Sequence, residues 1–323
     1  MNRLALVTDA DFPSLDQEDA FLAAAGIRLQ PPPGPTEADL LAAVGEVDAF
    51  LVQQRLISQK IFEAAPRLKV IACYGVGFDS VDVAAATDRQ IYVCNVPDYC
   101  TDEVATHALA MLLALARKVR LADRLVRTGD WTNFTTLKPM YALTGQWLGL
   151  VGFGRIGQAL AQMAIALKMK VAAYDPLIPS ARFAELGVEQ MQLDSLLSVC
   201  HYISLHLPLT PAAEQLISHQ RLAFMRPDAC LINCARGRLV DEPALIEALA
   251  SGRLAGAALD VFWDEPIQPD NPLLQMEQVV LSPHIAYYSE QSLQQVQRSA
   301  AEEVVRVLAG AAPRNWVNRW PDS

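Results

Sequence analysis

One imidazole, two carboxylates and one guanidinium follow closely on apolar runs in the second half of the sequence: Arg236 in "LINCARGRLVDE", Asp260 and Glu265 in "AALDVFWDEP", and His284 in "VVLSPHIA". An imidazole can give or take a proton near neutral pH, a carboxylate beside it can orient it, and a guanidinium fork grips a carboxylate at two points. Singly, each has an ordinary structural explanation: a surface arginine, a turn-forming aspartate, a loop acid before Pro266, a strand-end histidine. Together they could bind a small carboxylic acid and move a proton at its neighbouring oxygen.

A hydride carrier is signalled upstream. "GFGRIG", Gly152 to Gly157, matches G-x-G-x-x-G, which is weak in isolation. Here the apolar run "WLGLV" precedes it and an amphipathic helical pattern follows. The next β-like run, "KVAAY", ends in Asp175, about 20 residues on, where the dinucleotide fingerprint requires an acid. Gly152 permits the tight turn, Gly154 admits the pyrophosphate to the backbone, and Gly157 lets helix pack on strand, while Arg155 and Ile156 stand at the helix N-terminus that holds the anion. Asp175 would bind the adenosine ribose and repel a 2′-phosphate, favouring NAD over NADP. With that carrier, the polar set becomes the minimum for hydride transfer to a carboxylate-bearing ketone.

The elements that must position these groups follow from the pattern. Up to about residue 100, β-like runs ("LALVTDA", "VDAFLVQ", "LKVIACYG", "IYVCNVP") alternate with helical ones, predicting a parallel sheet covered on both faces. "TDEVATHALAMLLALARKVRLADRLVRTG" predicts one long helix, with Thr101 as N-cap and Asp102 and Glu103 in its first turn. After a looser stretch from Gly129 to Gly145, a second alternating series runs to "VVLSPH". A last helix, "SEQSLQQVQRSAAEEVVRVLAG", is capped by Ser289, stops at Gly310, and must pack on another unit, expected to be the first. The expected fold is α/β with two doubly wound parallel-sheet domains. Residues 1–100 with 288–323 are expected to form one unit, and 101–287, which carries the fingerprint, an inserted Rossmann unit.

Composition bounds the partners. A length of 323 residues suits two domains, and 52% hydrophobic with 19% charged residues suits an ordered globular chain. A formal net charge of −10 without basic runs argues against nucleic acid. The longest apolar stretch, "HALAMLLALA", is closed by Arg117 and Lys118, far short of the roughly 20 residues that span a bilayer. "MNRLALVTDADF" turns acidic before a signal core develops, so a cytoplasmic protein is expected. Cys73, Cys94, Cys100, Cys200, Cys230 and Cys234 lack C-x-x-C spacing, and none is assigned to a metal or disulfide.

"GFGRIG", "NCARGRLVDEPAL", "GAALDVFWDEP" and "LSPHIA", in that order, resemble the D-isomer-specific 2-hydroxyacid dehydrogenase family over nearly the whole chain. "CNVPDYCTDEVATHAL" and "HIAYYSEQSL" are most similar to the branch that includes the C-terminal binding proteins. The resemblance implies that His284 protonates the substrate carbonyl oxygen as hydride arrives, that Glu265 orients it and favours its charged form, and that Arg236 binds the carboxylate. It implies that Asp260 orients the nicotinamide carboxamide, with Cys234 and Ala235 beside the cofactor. In "CYGVGFD", backbone amides around Gly75, Val76 and Gly77 are implied to meet the substrate carboxylate. The resemblance also implies that residues 1–100 and 288–323 are a flavodoxin-like substrate-binding domain, that 101–287 are a Rossmann NAD-binding domain inserted in it, and that a homodimer forms through the NAD-binding domain.

Departures narrow the reaction. Formate dehydrogenases of this superfamily carry glutamine where this chain has Glu265, and phosphite dehydrogenase has a lysine close to where Val76 stands. Many relatives have arginine where this chain has Cys73, so a small monocarboxylate such as glyoxylate, hydroxypyruvate or pyruvate is expected over a phosphorylated acid. Phosphoglycerate dehydrogenase stays as an alternative enzyme. Tyr287 and Tyr288 are either an aromatic pocket wall or packed core tyrosines. A reading from another class is an NAD(H)-responsive binding protein of the corepressor kind, opposed by the absence of a long polar docking tail.

Overall fold

The computed structural model describes residues 3–131 and 134–320. Positions 132 and 133 of the looser stretch lie outside the described residues, as do 1, 2 and 321–323 of the expected substrate domain. The chain divides into two compact units, Met1–Cys100 with Tyr288–Ser323, and Thr101–Tyr287.

In the first unit, β1 (Arg3–Val7), β2 (Ile27–Gln30), β3 (Ala49–Val52), β4 (Val70–Cys73) and β5 (Tyr92–Cys94) form a parallel sheet in the order β2-β1-β3-β4-β5. That is the flavodoxin-like order. β3 and β4 are buried throughout, which is why they read as unbroken apolar runs. β2 and the helix Glu37–Ala43 had no such signal: "IRLQ" is a four-residue edge strand with one buried position, and the helix buries only Leu40.

The helix Glu290–Leu308 packs on the helix Asp16–Ala24 and on β3 and β4. Ser289 and Ser292 exchange side-chain to backbone bonds at 2.9 Å, closing a capping box. Glu18, fully buried at this seam, accepts hydrogen bonds from Tyr74 Oη at 2.8 Å and from Gln297 Nε2 at 2.9 and 3.0 Å. After the helix the chain returns to β5. Val317 N–H donates to Val93 O at 2.9 Å and Asn318 Oδ1 accepts from Val93 N–H at 3.0 Å, so the sheet edge is covered.

The second unit is a seven-stranded parallel sheet: β6 (Trp147–Val151), β7 (Lys170–Tyr174), β8 (Glu189–Gln190), β9 (Tyr202–Leu205), β10 (Cys230–Asn233), β11 (Gly256–Leu259) and β12 (Val279–Leu281), ordered β12-β11-β10-β9-β6-β7-β8. The order reverses between β6 and β9, and in such sheets ligands bind beyond the carboxyl ends of the strands at that switch point.

The expected single long helix is two, Thr101–Ala116 and Val119–Arg127, broken at Lys118, whose φ is 49°. The first buries Val104, Ala108, Met111 and Leu112 against the helix Arg155–Ala166 and β10 to β12, whereas the second buries nothing. The break falls where the apolar face runs out. Thr101 is the first helical residue, one position inside the N-cap place expected of it. Among the described residues no helix is long and apolar enough to cross a membrane.

Candidate active site

The glycine turn sits at the switch point. Gly152 has φ 93°, and a Cβ there would lie 2.3 Å from the carbonyl oxygen of His206, the residue after β9. A Cβ on Gly157 would lie 2.5 Å from Gly152 O. Gly154, by contrast, faces open space and is the N-cap of the helix Arg155–Ala166 without any side-chain cap. The first-turn amides of Arg155 and Ile156 therefore have no acceptor within the helix and are available to an anion. Asp175 follows β7 and is held by the amides of Phe153 (2.8 Å) and Leu177 (2.9 Å). A Cβ-free cradle, an uncapped helix start and a fixed acid fit a dinucleotide.

The catalytic candidates lie on the same unit. His284 Nδ1 is 2.6 Å from Glu265 Oε2, and Glu265 Oε1 accepts the amide of Phe262 at 2.9 Å. Burial raises the Glu265 carboxyl, but the hydrogen bond and charge of His284, the Phe262 amide and the charge of Arg236 outweigh it and hold the carboxyl below the usual glutamate range. The ring's Nε2 is left for a ligand. Tyr287 stands edge-on to the imidazole with ring centres 6.5 Å apart, while Tyr288 is exposed and its hydroxyl donates to Glu290.

His284 takes a left-handed φ of 54°, uncommon for a residue with a side chain. Asp260, fully buried just past β11, braces this turn. Its carbonyl accepts His284 N–H at 2.8 Å, and its carboxylate accepts the amides of Ile285 (3.1 Å) and Ala286 (2.9 Å). This bracing task was not read from the sequence.

Arg236 leaves β10 in a loop shaped by Asn233, whose Oδ1 accepts Ala235 N–H (3.0 Å) and whose Nδ2 donates to Arg236 O (2.8 Å). Arg236 Nη1 also donates to Ala235 O at 2.6 Å. Next to it, a Cβ on Gly237 would be 2.0 Å from Phe262 O, so the Arg236 loop and the loop carrying Glu265 touch backbone to backbone. Cys234 lies against Met111, its Sγ 3.6 Å from Sδ, and burial together with the Asp260 charge raises its thiol. The signal for Asn233 was a single asparagine ending an apolar strand.

In the first unit, Val96 N–H donates to Gly75 O (2.8 Å) and Asn95 Nδ2 donates to Val76 O (2.7 Å). Among the described residues, no hydrogen bond engages the amides of Val76 or Gly77. Asn95 was also missed. Cys73, just before this loop's Tyr74, is packed in the core with Phe50, Val52 and Ile71, its thiol pushed up to about 12 by burial and by Asp79 and Asp9.

Residues 109–286 match the model of the D-isomer specific 2-hydroxyacid dehydrogenase NAD binding domain. Over 290 residues the chain is 41% identical to a glyoxylate reductase of Korarchaeum cryptofilum, covering 88% of this chain and 87% of that one. It is 42% identical over 288 residues to a D-3-phosphoglycerate dehydrogenase of Mycobacterium bovis, covering 88% of this chain and 54% of that longer protein. A D-lactate dehydrogenase from Aquifex aeolicus, solved with NAD and lactic acid, superposes with a TM-score of 0.84 at 27% identity, covering 95% of this chain and 96% of that one. These names do not single out the C-terminal-binding-protein branch. A fingerprint at the switch point, a braced histidine and these likenesses lead to one identification: the chain belongs to the D-isomer specific 2-hydroxyacid dehydrogenase family, whose members are NAD-dependent oxidoreductases.

Proposed function

We propose that this protein reduces a small 2-oxo acid, of the glyoxylate or hydroxypyruvate kind, to the D-2-hydroxy acid with NADH. The observation that carries the reading is the 2.6 Å bond between His284 Nδ1 and Glu265 Oε2, which leaves Nε2 as the group that gives its proton to the substrate oxygen. NADH, when bound, supplies the hydride. Gly152, Gly154, Arg155, Ile156, Gly157 and Asp175 hold the cofactor, with Cys234, Ala235 and Asp260 near its nicotinamide end. Arg236 grips the substrate carboxylate and polarises the carbonyl. The amides of Val76 and Gly77 are further donors to the carboxylate. Residues Met1–Cys100 with Tyr288–Ser323 are the substrate-binding domain, and Thr101–Tyr287 the NAD-binding domain.

A monocarboxylate is favoured because the position where many relatives carry arginine is here the core-packed Cys73, which brings no positive charge. The enzyme is proposed to be a cytoplasmic homodimer through the NAD-binding domain. The dimer reading is supported by exposed Val119, Val126, Trp131 and Tyr141 on that domain. Neither nucleic acid nor membrane has a part in it.

The test is NADH oxidation against glyoxylate, hydroxypyruvate, pyruvate and 3-phosphohydroxypyruvate, with NADPH in parallel. Rapid turnover of a monocarboxylate with NADH is expected, and faster turnover of the phosphorylated acid would overturn the substrate class. Tight NADH binding without turnover of any would instead favour an NAD(H)-responsive binding protein. His284→Ala and Arg236→Ala are each expected to abolish turnover while NADH still binds.

A further inference from the structure

We propose that His107 is a positioning residue for the acid–base turn, acting through Ser282 and Asp260; this rests on the reading of His284 as the acid–base group. His107 lies on the helix Thr101–Ala116, which packs across β11 and β12. Its Nε2 is 2.9 Å from Ser282 Oγ and 3.6 Å from Asp260 Oδ1. Ser282 Oγ in turn donates to Asp260 Oδ1 at 2.5 Å.

The direction of these bonds follows from counting protons. A serine hydroxyl has one proton to donate, and Ser282 spends it on Asp260. The contact with His107 can then run only one way: Nε2–H donates and Ser282 Oγ accepts. The donors therefore run from His107 to Ser282 to Asp260, and they end on the carboxylate that also takes the amides of Ile285 and Ala286.

The consequence concerns geometry at His284. Its left-handed backbone is held because three successive amides, His284, Ile285 and Ala286, are tied to one buried residue. Asp260 Oδ1 is shared between the Ile285 amide and the Ser282 hydroxyl, and a hydroxyl is a rotor unless something fixes its lone pairs. His107 fixes it. Without that donor, Ser282 is free to turn away, the Asp260 carboxylate loses one of its three hydrogen bonds, and the imidazole's placement against the substrate oxygen loosens. Proton transfer is sensitive to displacements well under 1 Å, so the loss falls on the chemical step.

The experiment uses the full chain with NADH and glyoxylate, or the fastest substrate of the panel above. His107→Gln keeps an N–H donor near the reach of Nε2, His107→Phe keeps bulk without a donor, and Ser282→Ala removes the relay. His107→Phe and Ser282→Ala are each expected to lower kcat about 10-fold while KM and NADH affinity stay within about threefold. His107→Gln should recover most of kcat, and the double variant should be little worse than either single one, because both break the same chain. Unchanged kcat in Ser282→Ala, or a glutamine variant no better than phenylalanine, would overturn the proposal. Should His107→Phe not fold, Ser282→Ala and His107→Gln carry the test. Failure of the underlying reading is separate: it would show as full turnover in His284→Ala.

Discussion

Glu265 meets His284 with one carboxylate oxygen and the Phe262 amide with the other, so the partner that orients the imidazole is itself fixed from behind. A carboxylate held in this way can neither rotate off the ring nor swap its oxygens. Glu265→Gln keeps the shape and removes the charge. It is expected to lower kcat by about 10- to 100-fold with NADH affinity unchanged, measured by steady-state rates and fluorescence titration.

The same pair carries a pH signature. The Glu265 carboxyl lies below its ordinary value of 4.5, so the folded protein binds its proton less readily than the unfolded chain does. Its contribution to stability is present above that value and is lost as pH falls through the lower folded one. Thermal unfolding of Glu265→Gln should therefore vary less with pH below 4.5 than that of the parent.

His206 behaves in the same sense in a higher window. Burial pushes it down to about 4 from an ordinary 6.5. Between those values the unfolded chain takes up a proton that the folded chain refuses, so stability is complete above 6.5 and declines toward 4. His206→Gln should flatten the fall in Tm across this range. An equally steep fall would show that other groups govern it.

Two glycines are expected to fail differently. A Cβ on Gly237 would collide with the Phe262 carbonyl, whereas one on Gly154 meets nothing within 4 Å. Gly237→Ala should cost about 1–3 kcal/mol, lower Tm and reduce kcat, because the loop bearing Glu265 must shift. Gly154→Ala should leave Tm alone and weaken NADH, because a methyl group then stands where the pyrophosphate approaches.

Asn95 is the handle on the first unit's loop, through its bond to Val76 O. Asn95→Ala is expected to raise KM for the 2-oxo acid about 10-fold, equivalent to about 1.4 kcal/mol, without changing the affinity for NADH. Calorimetric titration of NADH alongside the kinetics would check both halves.

Much of this architecture was legible because its signals are local. Buried parallel strands such as β3 and β4 read as apolar runs, and the glycine turn with Asp175 is a contiguous pattern of strand, turn, helix and acid. What escaped was short or relational. β2 and β8 have few residues and little burial, and the break at Lys118 shows only when one asks where the apolar face ends. Asn95 and Asn233 act through hydrogen bonds to backbone and Ser282 through bonds to the side chains of His107 and Asp260, and nothing in a polar residue's identity announces its partner. His107 was visible only as the polar residue that opens the apolar stretch "HALAMLLALA" within its helix.

The buried carboxylate of Glu18 finally bears on synthesis. One of its partners, Gln297, stands 279 residues further along the chain. At ribosomal rates of roughly 5–20 residues per second, that partner arrives on the order of tens of seconds later. During that interval the first hundred residues have their strands but not the helix that covers β3 and β4, while the inserted unit can already fold from its own contiguous segment. The order of birth is thus expected to invert the order of completion, with the unit that begins the chain being the last to close.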